Sequence, residues 1–334
     1  HDAEEYKMLE NKIKNTLKSY SVCGYDPRKF CLDELIEKTF IEDFFNLKNK
    51  AMELAVKNYQ EPKNYAQLEK IERMVHSISK RSLNLDLTNV YTSANDNRIR
   101  KIIKRYSSNP AFILYNTFGT VTGRLSTTPS SFPLLTLNKE YRTMIKPNNG
   151  VFIEFDYNAF ELRVLTALLG REQPKGDIHD WNIKNIFKGG TERSEAKKRI
   201  FAWLYNPNSD DALLSREYDR GGLLKKYFSD GKITTDFDRE IEADDYHALN
   251  YLIQSTASDL FLEQVYKVFK ILEDNNSKSY VSMLIHDSMI LDFDRKDYKL
   301  LNQIRDTFKQ TRYGELKLNI QVGRTLGDLS TEWM

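Results

Sequence analysis

Apolar positions change their period several times along this chain, and each change marks an element. From residue 2 to about residue 106 they recur at helical spacing, and residues 33–59 and 65–83 carry apolar stripes opposite lysine-rich faces. Pro62 lies between the two segments and breaks the helix there. Ile99, Ile102 and Ile103 continue the helical period among Arg98, Arg100, Lys101, Lys104 and Arg105. Between Asn116 and Lys146 the period stops: TVTGRLS leads into turn-rich TTPSS. Val151, Phe152, Ile153 and Phe155 then read as a strand, and from Phe160 the residues Leu162, Leu165 and Leu169 return to helical spacing. A polar connection containing Gly176-Asp-Ile-His179 precedes a helix over TERSEAKKRIFAWLY, residues 191–205. Next come a helix near residues 211–228, an irregular DGKITTDFDRE and a long helix over about 244–272. Two apolar runs in YVSMLIHDSMILDF flank His286-Asp287-Ser288 as a tight hairpin. A helix near 296–308 and a strand near 316–322 close the pattern.

At 334 residues the chain is long enough for two or three subdomains around a substantial core. The 50 Lys and Arg nearly balance the 48 Asp and Glu, so only local segregation of charge carries information. Arg98 to Arg105 is such a local cluster, dense enough to track a phosphate backbone with salt-sensitive affinity; a solvated helix face is the structural alternative. Cys23 and Cys31 have neither CxxC spacing nor a nearby histidine, which speaks against structural zinc or a disulfide framework and suits a reducing compartment, the cytoplasm. No apolar run is long enough to span a membrane, and no signal-peptide layout opens the chain. It begins on His, as a fragment or a processed product would.

Asp156 stands where a strand gives way to a helix. A strand's carboxyl end leaves open space for a ligand, so this carboxylate can face a substrate from a rigid backbone. Alternatively, Asp156 and Asn158 cap the helix. In TGR, glycine permits close approach of the backbone while the Arg124 guanidinium reaches a phosphate or a minor-groove edge; a simple turn is the alternative. Arg193, Lys197, Phe201 and Tyr205 fall at roughly 0°, 40°, 80° and 120° around their helix, one stripe about 18 Å long. Ala196, Ile200 and Trp203 occupy the inward face. Two cations followed by two rings match the order of phosphates, sugar and base in a nucleoside triphosphate. Asn250, Gln254 and Ser258 form a polar line on the long helix, suited to minor-groove acceptors or to a hydrogen-bonded seam. Two carboxylates at neighbouring strand ends, Asp156 and Asp287, would repel unless a divalent cation bridged them, and Mg²⁺ is the natural ion.

These segments, in this order, resemble the family A DNA polymerases, the class of bacterial DNA polymerase I and many phage replicases. TVTGRLS, DYNAFELR, DIH, RSEAKKRIFAWLY, NYLIQSTASD and IHDS carry the resemblance over residues 120–287. It implies an α+β right-hand fold with an antiparallel palm sheet, helical fingers and a helical thumb. The thumb with an N-terminal extension would span residues 1–115, the palm 116–176 and 244–334, and the fingers 177–243. Asp156, Asp287 and the backbone carbonyl of Tyr157 would hold two Mg²⁺ ions, with Mn²⁺ able to substitute. His179, Arg193 and Lys197 would bind the triphosphate, Lys197 also protonating pyrophosphate. Phe201 would line the sugar pocket and Tyr205 would stack near the templating base. Glu161 would block a ribose 2′-hydroxyl, and Arg163 would support that site through a salt bridge. Arg124, Asn250, Gln254 and His286 would contact the minor groove of primer-template DNA.

The chain also departs from that pattern. The family usually has Ser-Gln where this chain has Asn158-Ala159, and HDE where it has His286-Asp287-Ser288, which removes an auxiliary carboxylate. Asn206 follows Tyr205 in place of glycine, Tyr246 stands where arginine is common, and the connection over 205–250 is short, implying trimmed fingers of compact phage or viral type. No 3′-5′ exonuclease is expected in these residues, and an upstream fused domain or a processivity factor would be a further partner. The sequence therefore points to a template-directed polymerase adding dNTPs to a primer 3′-hydroxyl. A catalytically silent primer-template binding module and a single-subunit RNA polymerase-like enzyme are the alternatives; both retained aspartates oppose the first and Glu161 the second.

Overall fold

A computed structural model describes residues 2–27, 30–93 and 96–331, and divides the chain into two compact units, His1–Pro62 and Lys63–Met334. The first unit pairs α1 (Asp2–Val22) with α2 (Lys38–Asn58) around Leu9, Ile13, Ile36 and Phe44, with Tyr6 stacked on Phe44 at 5.3 Å. The second helix starts later than its apolar stripe suggests. Ile36 and Glu37 have extended ψ values of 142° and 132°, so only the turn Leu32–Leu35 is helical before them.

In the second unit α3 (Tyr65–Ser79) buries Ile71, Met74, Val75 and Ile78, one face at three- and four-residue spacing. It stops at Ser79, short of the expected residue 83. Ser82–Leu85 is instead a strand, pairing antiparallel with Ala111–Phe112 and Ile145–Lys146. Next, α4 (Asn97–Tyr106) is capped by the Asp96 carboxylate accepting from the Arg98 amide; it buries Ile99, Ile102 and Tyr106 and leaves its basic residues outward.

The centre of this unit is a four-stranded antiparallel sheet built from β1 (Val151–Tyr157), β2 (Tyr280–Ile285), β3 (Ser288–Phe293) and β4 (Leu318–Gly323), in the order β2-β3-β1-β4. Between β1 and β2 the chain forms α5 (Phe160–Leu168), α6 (Ile178–Asn185), α7 (Arg193–Tyr205) and the 27-residue α8 (Ala248–Asp274). After β3 comes α9 (Leu301–Lys309), continuing a 3-10 turn. Side-chain alternation gives the sheet two faces. Ile153, Phe155, Tyr157, Met289 and Leu291 pack with α8 and α9; Phe152, Met283, Ile285 and Ile290 belong to a second core beneath α4. At one end of that second face the apolar run gives way to Glu154, Asp156, Ser288 and Asn319.

Two expected segments differ. Residues 211–228 form two helices, Ala212–Glu217 and Arg220–Tyr227, because Tyr218 is extended and Asp219 caps a new start through the Gly222 amide. DGKITTDFDRE is not irregular: Lys232–Thr234 pairs with Phe228–Ser229 and Glu240–Glu242, burying Ile233 and Ile241 opposite each other.

Phe308 joins the sheet to the helices behind it. Fully buried, it stacks on Tyr157 at 4.7 Å and meets Phe155 and Phe261 edge-on at 6.0 and 6.2 Å. Phe308→Ala is expected to lower the unfolding free energy, followed by urea denaturation, by about 3–5 kcal/mol; a loss below about 1 kcal/mol would show that this ring is not the packing centre.

Candidate active site

The junction between β1 and α5 is made by Ala159, whose φ of 48° turns the chain through the left-handed region and leaves the helix without a side-chain cap. Asp156 is therefore not a helix cap. Among the described residues its carboxylate accepts one hydrogen bond, from Asn319 Nδ2 on β4 at 3.2 Å. Asn158 is occupied elsewhere, donating to Asp177 at 2.9 Å and accepting from Arg163 at 3.1 Å. The expected salt bridge of Arg163 is not formed among the described residues, and the side chain is turned away from Glu161. Two residues apart on a helix, they point about 200° apart. Wholly buried, Arg163 ties the connection after α5 to the junction, donating to the carbonyls of Asn158 (2.9 Å), Pro174 (3.0 Å) and Gly176 (2.7 Å).

Asp287 is the second residue of a two-residue turn between β2 and β3, opened by His286 at a φ of 53°. Ser288 lies directly opposite Asp156 on neighbouring strands, so Asp287 is one step beyond that pair. Burial pushes both carboxyls up to about 6. For Asp156 the Glu154 charge adds to burial and Asn319 opposes it; for Asp287 the Arg124 charge opposes it while Glu161 and Asp156 add. The Asp156 charge acts on Asp287, and the strand register sets the two residues at neighbouring positions. Among the described residues no group of three or more His, Cys, Asp or Glu is placed to hold a metal ion. Two carboxylates alone would suit a hard cation only with its remaining ligands supplied from outside the chain. The Tyr157 ring is stacked between Phe160 and Phe308 on the opposite face, which leaves only its backbone carbonyl for such a role.

Glu161 is buried: Arg124 donates to Oε1 at 2.6 Å and lies 3.9 Å from Asp287, while the Tyr205 hydroxyl donates to Oε2. From Tyr205 the stripe on α7 runs back as the angular arithmetic suggests. Phe201 stacks on Tyr205 at 5.7 Å with 3° between the planes, Lys197 Nζ lies 5.7 Å from the Phe201 ring, and His179 on α6 is 6.2 Å from it. Ala196, Ile200, Trp203 and Leu204 face inward. His179 is buried, its Nδ1 without a hydrogen-bond partner among the described residues, and burial drives its pKa down, so it is neutral near pH 7. Arg193 reaches Asp177 at 3.0 Å and Asp180 at 3.4 Å. Although burial raises it, Asp177 is held at about 2 by the Asn158 side chain, the amides at the start of α6 and Arg193.

The polar line on α8 works partly as a seam. Ser258 donates to the Gly123 carbonyl at 2.7 Å, and Thr122 donates to Gln254 at 3.3 Å. Arg239 pairs in a fork with buried Asp259 at 2.7 and 2.8 Å and lies against Gly123, where a Cβ would meet it at 2.6 Å. The glycine before Arg124 is thus required by close approach, beyond its φ of 74°. Asn250 is not drawn into this seam; its Oδ1 is buried without a hydrogen-bond partner among the described residues. His286 is exposed beside Asp287. Sequence reasoning missed Asn319, Asp177, Arg239 and Asp259. Of these only Asp177 carried a local signal, as an aspartate two residues before His179 at a helix start.

No protein-family model matches the chain. It is 23% identical to a DNA polymerase I of Borreliella burgdorferi over 73% of this chain and 32% of that protein. It is 24% identical to a DNA polymerase I of Caldicellulosiruptor bescii over 56% of this chain and 28% of that protein. A DNA polymerase of Bacillus phage SP01 is 26% identical, with 53% and 26% covered. The chain thus spans less than a third of the length of each of these relatives. Among solved structures, the polymerase domain of Pol1 from M. smegmatis, in complex with DNA primer-template and dNTP, superposes with a TM-score of 0.54 at 15% identity, covering 98% of this chain and 66% of that one. Over most of its length the chain is similar to bacterial and phage DNA polymerases of the polymerase I kind, and it carries the fold of a polymerase I polymerase domain.

Proposed function

We propose that this chain is a template-directed DNA polymerase that extends a primer 3′-hydroxyl with dNTPs and releases pyrophosphate, acting on primer-template DNA. The observation that carries this reading is the register that sets Asp156 beside the Asp287 turn, with Glu161 held between Arg124 and Tyr205. Asp156 and Asp287, with the Tyr157 carbonyl, would hold two Mg²⁺ or Mn²⁺ ions. A pair of such ions, when bound, stabilises the attacking and leaving oxygens of an in-line phosphoryl transfer.

The chain's own groups supply the rest. Arg193 and Lys197 neutralise the triphosphate and neutral His179 donates a hydrogen bond to it, with Lys197 able to give a proton to the departing pyrophosphate. The stacked rings of Phe201 and Tyr205 border the sugar and base, and the buried Glu161 carboxylate, fixed from both sides, fills the space a 2′-hydroxyl would need. Arg124, Asn250, Gln254 and His286 face the minor groove near the primer end, the TGR loop being steadied by Ser258 and Arg239. In this reading residues 116–176 and 244–334 form the palm, 177–243 the fingers, and the helical region up to 115 the thumb.

Asp287→Ala is expected to slow primer extension at least about 10³-fold while leaving primer-template affinity within a few-fold; unchanged extension would remove Asp287 from the metal assignment. Glu161→Ala should raise ribonucleotide insertion relative to deoxynucleotide insertion by about tenfold or more, measured as kcat/KM for each; an unaltered ratio would leave sugar selection to other residues. Because the Asp287 carboxyl is raised in the fold, its ionisation weakens the cation-free chain as pH rises from about 4 to about 6. In chelator at pH 7.5, Asp287→Asn should therefore be more stable than the parent by about 1–2 kcal/mol, and at pH 4 the difference should vanish. Thermal unfolding checks this, and a variant less stable at pH 7.5 would contradict it.

A further inference from the structure

Glu154 is a carboxylate that the reading above leaves without a task. Alternation along β1 puts Phe152, Glu154 and Asp156 on one face, with Ile290 on β3 and Gln321 on β4 directly opposite Glu154. It sits one pleat deeper than Asp156, at the edge of the apolar core formed by Phe152, Met283, Ile285 and Ile290. Ser288 reaches across the strand pair and donates from Oγ to Glu154 Oε1 at 2.8 Å. Among the described residues Glu154 makes no ion pair, and its other oxygen accepts no hydrogen bond.

A partly buried carboxylate that one hydroxyl orients and that faces no cation among the described residues carries a charge without a partner inside the chain. Its hydroxyl partner makes the position more informative. Ser288 stands where the polymerases this chain resembles usually carry the glutamate of HDE, directly opposite Asp156. The side chain that fills that place here donates its proton to a carboxylate on the adjoining strand.

Resting on the polymerase reading, we propose that Glu154 is the auxiliary carboxylate of the cation site, transferred across the β1–β3 pair from position 288 and oriented by Ser288. With Asp156 and Asp287 it does not form a three-carboxylate ligand cluster. It acts as a positioning residue, accepting hydrogen bonds from the water shell that a Mg²⁺ or Mn²⁺ ion retains and adding negative charge behind Asp156.

The test compares the parent with Glu154→Gln, Glu154→Ser, and the exchange Glu154→Ser with Ser288→Glu. Mn²⁺ binding without DNA or nucleotide, followed by the electron paramagnetic resonance signal of free Mn²⁺, is one readout. The Mg²⁺ concentration giving half-maximal single-nucleotide insertion is the other. Glu154→Gln keeps the shape and the Ser288 hydrogen bond, and is expected to weaken Mn²⁺ binding about tenfold and to raise the half-maximal Mg²⁺ concentration similarly, with the rate at saturating Mg²⁺ little changed. The exchange should restore both values to within about twofold of the parent, as Glu154→Ser alone should not. Unchanged Mn²⁺ affinity in Glu154→Gln, or an exchange no better than Glu154→Ser, overturns the proposal; if the exchange does not fold, the glutamine comparison decides. Weakened Mn²⁺ binding in a chain that extends no primer would support the role of Glu154 and sink the polymerase reading. Robust extension with an unaltered metal response would do the reverse.

Discussion

The antiparallel register between β1 and β3 is the constraint on which the candidate site depends. It sets Ser288 opposite Asp156, which fixes Asp287 one residue beyond, at the tip of a two-residue turn. A slip of one residue would turn Asp156 and Glu154 into the core and carry Phe155 to the open face. Phe155, Tyr157 and Met289 on the buried face hold that register, packed against α8 and α9. Core packing behind the sheet and carboxylate placement in front of it are two consequences of one pairing.

Around that centre the site is secured by groups that satisfy the backbone. Arg163 spends its guanidinium on three carbonyls and the Asn158 amide, so the turn after β1 and the approach to α6 move as one piece. Asp177 links that piece to α7 through Arg193. On the other side the Arg239–Asp259 pair and Ser258 hold the loop before Arg124. Glu161 lies where these supports meet, with Arg124 on one oxygen and Tyr205 on the other. The energetic tension is concentrated at Asp156 and Asp287, whose ionised forms are disfavoured by burial and by neighbouring carboxylates.

The sequence made much of this legible where the signal was periodic. The α7 stripe, the β2–β3 hairpin and the strand–helix junction at Asp156 each follow from residue spacing, and Lys197, Phe201 and Tyr205 lie along one line of contacts while Arg193, at the start of the same helix, turns to Asp177 and Asp180. Legibility ended where a short element or a distant contact decided the outcome. The four residues Ser82–Leu85 are too few for alternation to show against the helix before them. The resemblance implies a salt bridge for Arg163, but its helical angle turns it away from Glu161 and its guanidinium serves backbone carbonyls. Asn319 reaches Asp156 across 163 residues and Ser288 reaches Glu154 across 134, separations that leave no local trace. Consequently Ser288 read from sequence as a lost carboxylate, whereas the sheet shows a carboxylate hydrogen-bonded to it from the next strand.

The proposed chemistry requires Asp156 and Asp287 to act as one site. A double-mutant cycle in single-nucleotide insertion at saturating Mg²⁺, with Asp156→Asn, Asp287→Asn and the two combined, tests this most directly. Groups that act as a unit are strongly non-additive, so the combined variant is predicted to be no more than about threefold slower than the slower single variant. Rate losses that multiply, each aspartate contributing independently of the other, would contradict a shared cation site.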